Sequence, residues 1–201
     1  MSSTKIICGK CLDELKKITE KVDMTFLDPP FNQQKDYSLH NDNMPEEQYW
    51  EMMKSVCKLV YDITKKGGCV YFMQRENGIY VTDVWDDIRE LTSGYFAGDE
   101  AIRTKTEERF HKQQTSLALL LRLILSSTKP NDTVLDPFAG TGTTIVTALQ
   151  LQRKSITIEI DPQNVDCIQN RIRVLRDTDI LHKYYKDYIC TENLASIWGS
   201  I

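Results

Sequence analysis

Asp28-Pro29-Pro30-Phe31 sets a carboxylate, two rigid prolines and an aromatic ring in consecutive positions. Each proline removes a backbone donor and fixes φ, so the chain after Asp28 is a stiff extended turn with outward-facing carbonyls. Taken alone, the pattern is also that of a plain strand end followed by a proline turn. A second constellation lies more than a hundred residues later, where Asp136 is followed by Pro137-Phe138-Ala139-Gly140-Thr141-Gly142-Thr143-Thr144. Glycines there let backbone approach a ligand closely, and N–H groups at the start of a following helix favour an anionic group. Glu159 falls 19 residues past Gly140, about where the dinucleotide fingerprint places its ribose-binding carboxylate. The third glycine of that fingerprint is absent, so the pattern points to a nucleoside-bearing cofactor without naming it. A nicotinamide dehydrogenase would share the glycine turn, but no hydride-transfer base stands beside it.

Elements must hold these groups in place. The apolar, β-prone run Val22 to Leu27 reads as a buried strand that ends on Asp28. A short strand at 5–8 and a short amphipathic helix at 12–18 precede it, and a polar stretch from Asn32 to Met44 reads as a loop of lid-like length. Pro45-Glu46-Glu47 opens a helix to about Lys65, Gly67-Gly68 stops it, and 69–73 is the next strand. After an irregular stretch, an apolar helix at 116–127, a strand at 133–136, a helix at 145–151, a strand at 155–159 and a helix capped by Asp161 and running to about Arg176 follow in turn. Strands alternating with helices predict an α/β fold, a doubly wound and mainly parallel sheet covered on both faces. Residues 74–112 break the pattern, with a short strand at 79–81, an acidic segment around Trp85 and the basic residues Arg103, Lys105, Arg109 and Lys112. Those cations are either a solvated surface or a phosphate-contacting rim.

Composition fits one domain: 201 residues, 41% hydrophobic and 27% charged. A net charge of -4 and a pI near 5.5 exclude a global basic field, so any nucleic acid would have to meet a local patch. No apolar run approaches bilayer length, and the expectation is a cytoplasmic protein without membrane contact. The six cysteines are scattered and mostly in apolar company, which fits reduced thiols. Cys8 and Cys11 form a lone CxxC without the second pair a zinc site would want, so no metal is expected.

The two constellations together resemble the β class of amino-directed DNA methyltransferases, which act on N6 of adenine or N4 of cytosine. Asp136 to Thr144 is similar to the S-adenosylmethionine loop of that family, and Asp28-Pro29-Pro30-Phe31 to its catalytic Asp-Pro-Pro-Tyr/Phe motif. The catalytic motif precedes the cofactor motif, which is the circularly permuted order of that class, and the likeness extends over most of residues 5–176. The resemblance implies the Rossmann-like methyltransferase fold in one domain spanning 1–201. Its parts are a catalytic-motif half (1–73), an irregular connection in place of a recognition region (74–112), a cofactor-binding half (113–176) and a tail (177–201). It implies S-adenosyl-L-methionine as cofactor, double-stranded DNA as partner and a place in restriction-modification.

By the same resemblance, Asp28 and the Pro29 carbonyl accept hydrogen bonds from the target amine, Pro30 keeps the turn stiff, and Phe31 stacks on the base. Such acceptors draw the amino nitrogen toward tetrahedral geometry and expose its lone pair, with little reorganisation in the transition state. A paired target must first be extruded from the duplex, and the 32–44 loop is placed to close over it. Asp136, Phe138, Ala139, Gly140, Thr141, Gly142, Thr143 and Thr144 would face the cofactor, with Asp136 orienting the loop or meeting the ammonium, and Glu159 the ribose hydroxyls. Asp in the first motif position is more usual for adenine, Ser for cytosine.

Three departures stand against the family pattern. Lys10 follows Gly9 where an acid is usual, and Thr115 and Ser116 replace a usual lysine and proline. Only nine residues separate Met73 from Asp83, too few for the helix, final hairpin strands and recognition region expected there. A shortened or absent recognition region would leave an unpaired edge beside strand 69–73, to be covered by a second copy, a partner subunit or the aromatic tail (Tyr184, Tyr185, Tyr188, Trp198). The competing reading is a catalytically impaired cofactor-binding remnant, or a subunit that needs a partner to read DNA.

Overall fold

The computed structural model describes residues 4–37, 39–73, 100–104, 106–108, 110, 114–188, 191 and 194–198, the side chains at 36, 37, 185, 195 and 196 apart. The expectations placed on 79–81, on the Trp85 segment and on Lys105, Arg109 and Lys112 lie outside the described residues, as do any hairpin strands within 74–99.

Five strands form one parallel sheet, in the order β1 (Thr4–Cys8), β7 (Lys154–Glu159), β6 (Thr133–Asp136), β2 (Val22–Leu27) and β5 (Thr64–Phe72). The alternation of side chains along each strand divides the core between two faces. On one face Met24, Phe26 and Val134 pack against α3 (Leu117–Ser127) and α4 (Thr143–Gln150). On the other, Leu27, Leu135, Ile156 and Ile158 meet Tyr49, Met53, Val56 and Val60 of α2 (Glu46–Ile63), and Leu15 of α1 (Cys11–Leu15). A third, small cluster joins Ala139 and Ile145 to Ile168 of α5 (Pro162–Arg173). This is the doubly wound arrangement expected, and β6 and β2 stand side by side within it, so the two motifs meet at the carboxyl ends of neighbouring strands.

Several boundaries differ from expectation. Helix α2 ends at Ile63, where the Thr64 hydroxyl donates to the Val60 carbonyl at 2.7 Å, and Gly67-Gly68 lies inside β5 rather than stopping the helix. The two glycines absorb a register shift between Val22↔Thr64 and Met24↔Cys69: Gly67 has φ of 84°, and a Cβ on Gly68 would lie 2.8 Å from the Asp23 carbonyl. Helix α1 is one turn, Cys11–Leu15, and Ile18 joins the core from beyond its end. Helix α5 stops at Arg173. Asp161 does cap it, accepting from Gln163 N at 2.9 Å, and Ser116 caps α3 by accepting from Leu119 N at 3.2 Å.

Among the described residues β5 is one of the two outer strands, the other being β1, and Val70, Phe72 and Met73 are exposed there. Arg122 of α3 donates to the Tyr188 hydroxyl, Leu181 N to Gln150 Oε1 of α4, and Trp198 Nε1 to the Gln150 carbonyl. Of the tail aromatics, Tyr184, Tyr188 and Trp198 therefore pack, partly buried, against the core cluster of α3 and α4. No described helix is long and apolar enough to cross a membrane.

Candidate functional site

At the carboxyl ends of β1, β7, β6 and β2 a cavity of about 810 Å³ opens. Parallel sheets present their strand ends as a crevice where the winding direction reverses, and β6 is the strand from which it reverses here. Asp28, Pro29 and Pro30 share the cavity wall with Asp136, Phe138, Ala139, Gly140, Thr141, Thr143, Thr144 and Glu159. Two predicted residues stand apart from it. Phe31 is half-buried beside the mouth with the Lys35 ammonium 5.9 Å from its ring centroid. Gly142 faces the other way, and with φ of 82° and a would-be Cβ 2.7 Å from Ile168 Cγ1 it lets the turn pass over α5.

The glycine turn is held by the chain's own acid. Gly140 N donates to Glu159 Oε2 at 2.7 Å, while Glu159 Oε1 accepts from Asp161 N at 2.9 Å and Asn164 Nδ2 at 3.2 Å. The anion that meets the Gly140 N–H is thus Glu159 itself. Burial pushes the Glu159 carboxyl up, and these three donors oppose that shift. Asp136 is more deeply set, 3% exposed, and burial pushes its carboxyl up to about 7. Hydrogen bonds from Thr144 and from Phe138 N, the latter at 3.0 Å, pull the other way, and the negative charges of Asp28 and Glu159 add to the rise. Cys11 lies against the same wall, its thiol pushed up to about 12 by burial and by Asp136, so it is an inert lining group. Lys10, the departure from the family acid, also faces the cavity.

Five groups that shape the site carry no motif in the sequence. Asp42 is 3% exposed and accepts from the backbone N–H of Asn32, Gln33 and Lys35 at 2.8, 3.0 and 3.0 Å. Asn32 closes the neck of the same loop by bonding Met44 N and O at 2.7 and 2.8 Å. The stretch expected as a lid-like loop is a compact unit containing a two-stranded hairpin, β3 (Asp36–Tyr37) with β4 (His40–Asn41), and Leu39, His40 and Asn41 look into the cavity. Arg171 is 3% exposed and donates to the Thr141 carbonyl at 2.7 Å and to both oxygens of Asp179, which is 0% exposed. Arg176 grips the same carboxylate and also the Glu100 carbonyl. The Asn-Asp-Asn composition of 41–43 hinted at side-chain turns, but nothing local marks Arg171 or Asp179 as buried.

The arrangement offers an apolar-walled cleft with two acids set for a polar, partly cationic ligand and a third, Asp28, at a rigid turn beside them. A family model described as DNA methylase, N6_N4_Mtase, matches residues 22–108 and 73–170, and the two matches overlap across the irregular connection. The type II methyltransferase M.HinfI of Haemophilus influenzae is 43% identical over 79 residues, 39% of this chain and 22% of that protein. The type II methyltransferase M.Cfr9I of Citrobacter freundii is 32% identical over 136 residues, 66% of this chain and 45% of that protein. The chain thus matches less than half the length of either relative. Among solved structures, the PvuII DNA methyltransferase (cytosine-N4-specific) superposes with a TM-score of 0.58 at 16% identity, covering 100% of this chain and 94% of that one. The M1.HpyAVI-SAM complex gives 0.57 at 18% identity, over 85% of this chain and 100% of that one. At these identities the structural likeness is one of fold.

Proposed function

Because the chain belongs to the DNA methylase family, we propose that it transfers a methyl group from S-adenosylmethionine to an exocyclic amino group of a DNA base, adenine N6 before cytosine N4. The observation that carries this reading is the meeting of Asp28-Pro29-Pro30 with Asp136, the glycine turn and Glu159 around one cavity.

The residues present fit the cofactor. A cavity of about 810 Å³ is of the size that takes a drug-sized ligand, and the turn at Gly140 brings backbone to its wall without side chain. Glu159 has three donors on two oxygens that together offer about four acceptor positions, which leaves capacity for a ribose hydroxyl. Asp136, nearly buried and unsettled in its ionised form, gains most from a cationic neighbour. Bound there, S-adenosylmethionine supplies an electrophilic methyl group.

The chain's own part is to prepare the amine. Asp28 and the Pro29 carbonyl accept from the two amino protons, which loosens the conjugation of the nitrogen lone pair with the base. As the amine takes the methyl group, the methyl–sulfur electron pair would stay on sulfur and the nitrogen would become positive; the Asp28 carboxylate stabilises that charge and takes one amino proton, which passes on to water. Asp28 rather than a hydroxyl residue at this place supports adenine as target. Leu39, His40 and Asn41 would line the space taken by the extruded base, and Phe31 would stack at its edge.

A second reading is favoured by the exposed apolar β5 edge and the short middle region: a subunit that holds cofactor but relies on a partner, or a second copy, to read DNA. One experiment separates the two. Transfer of tritium from labelled cofactor to duplex DNA, followed by nucleoside analysis, is expected to give 6-methyladenine in the wild type and none in Asp28→Ala. Labelled 4-methylcytosine would reassign the base. Cofactor binding with unlabelled DNA, with and without an added recognition subunit, would overturn the catalytic reading.

A further inference from the structure

The Thr115 hydroxyl donates to Asp28 Oδ2 at 2.9 Å across a sequence distance of 87 residues. We infer that Thr115 is a positioning residue that fixes the plane of the Asp28 carboxylate against the target amine. The inference rests on the reading of Asp28 as the amine's acceptor.

A carboxylate at the end of a strand can rotate about its last torsion, a broad and shallow coordinate. The prolines that follow Asp28 stiffen the backbone but do not restrain that rotation. A hydroxyl donor on one oxygen restrains it, provided the donor is itself fixed. Thr115 meets that condition from both sides. Gln114, 8% exposed, accepts from Ile102 N at 3.0 Å and donates to the Glu100 carbonyl at 3.0 Å. Ser116, 7% exposed, caps α3, and Leu117 N donates to Glu100 Oε1 at 2.6 Å. The backbone of Thr115 is therefore pinned by both neighbours, and its β-branched side chain has few rotamers left. Thr115 also lines the cavity, so the contact sits where the base would be delivered.

The contact gives position 115 a task that a long flexible cation would perform poorly. A lysine there would reach past Asp28 into the cavity with four rotatable bonds, whereas threonine offers one donor at short reach. The departure from the family pattern at this place thus gives the acceptor carboxylate a short, fixed donor.

Two variants and two readouts test it. Thr115→Val removes the donor at nearly constant shape, and Thr115→Ser keeps the donor. Expected is a kcat about ten- to a hundredfold lower in Thr115→Val, the scale for losing a hydrogen bond to a charged group, with cofactor Kd and Tm near wild type, and most of the rate restored in Thr115→Ser. Equal losses in both variants, or a loss that follows Tm and cofactor binding, would overturn it. Crystal structures of wild type and Thr115→Val give an answer that does not depend on turnover. A carboxylate of Asp28 that keeps its orientation in the variant refutes the positioning role, even if no DNA is ever methylated. Absence of methyl transfer in the wild type, with the carboxylate shown to turn in the variant, would instead count against the function proposed for the site.

Discussion

Arg171→Met should unsettle the glycine turn and the fold together. The substitution keeps the helix and much of the apolar stem of the side chain but removes three hydrogen bonds, at 2.7, 3.1 and 2.7 Å, to the Thr141 carbonyl and the two oxygens of Asp179. Asp179 is wholly buried and would keep only Arg176, whose side chain is 29% exposed. Breaking a buried ion pair from one side costs about 3–5 kcal/mol, because the remaining charge stays buried. The Thr141 carbonyl, in a residue 3% exposed, loses a charged donor as well, but that loss overlaps the same estimate. For a chain of 201 residues the predicted drop in Tm is on the order of 10 °C.

The acid limb of stability carries a second signature. Burial alone would raise the Asp179 carboxyl, yet the hydrogen bonds from Arg176 and Arg171 outweigh it and hold the group at about 2, against 3.8 for an ordinary Asp. A carboxyl depressed by folding binds fewer protons in the native state, so its contribution is present above pH 3.8 and is lost as pH falls through about 2. In Arg171→Met that loss should begin at higher pH. The assay is thermal unfolding between pH 2 and 7, with cofactor binding by calorimetry at neutral pH. Arg173→Met, on the exposed side of the same helix where the guanidinium meets only Asn170, serves as the control and should shift stability by less than about 0.5 kcal/mol. If Arg171→Met and Arg173→Met lose the same small amount, the buried clamp does not hold the turn.

Other expectations follow from single groups. Asp136→Asn should stabilise the cofactor-free protein most at pH 8 and little at pH 4, because a carboxyl raised to about 7 by folding binds extra protons between pH 4 and 7 and so loses stability as pH rises through that window. The same variant should bind S-adenosylmethionine more weakly at pH 8 by calorimetry; unchanged affinity would remove Asp136 from the cofactor site. Glu159→Gln should weaken cofactor binding by about tenfold or more and speed amide exchange at Gly140, whose N–H it holds. Gly142→Ala should lower stability by about 1–3 kcal/mol in urea unfolding, since the position has φ of 82° and a Cβ there would meet Ile168 at 2.7 Å. Asp42→Ala should free the amides of Asn32, Gln33 and Lys35 to exchange and lower methyl transfer while leaving cofactor affinity near wild type. Wild-type exchange rates at all three would show that the loop is held by other means.

The sequence by itself determined the elements whose reasons are local. An apolar β-prone run made β2, helical spacing of leucines made α3, Asp161 made the cap of α5, and the two motifs fell at the strand ends that their flanking residues predicted. Its failures were also local in origin. Gly67-Gly68 reads as a helix stop, but glycine serves a strand irregularity equally well, and only the pairing of β5 with β2 chose between them. Tertiary structure alone decided the rest. Parallel pairing of β2 with β6 set Asp28 beside the glycine turn, which neither segment shows by itself. Burial turned Arg171 and Asp179 from ordinary surface types into the brace of the glycine turn, and a separation of 87 residues closed to 2.9 Å between Thr115 and Asp28. A motif names the groups that can do chemistry, because their types and spacing survive in one dimension. Which oxygen is held, by what donor and at what charge depends on neighbours that the chain brings together only when it folds.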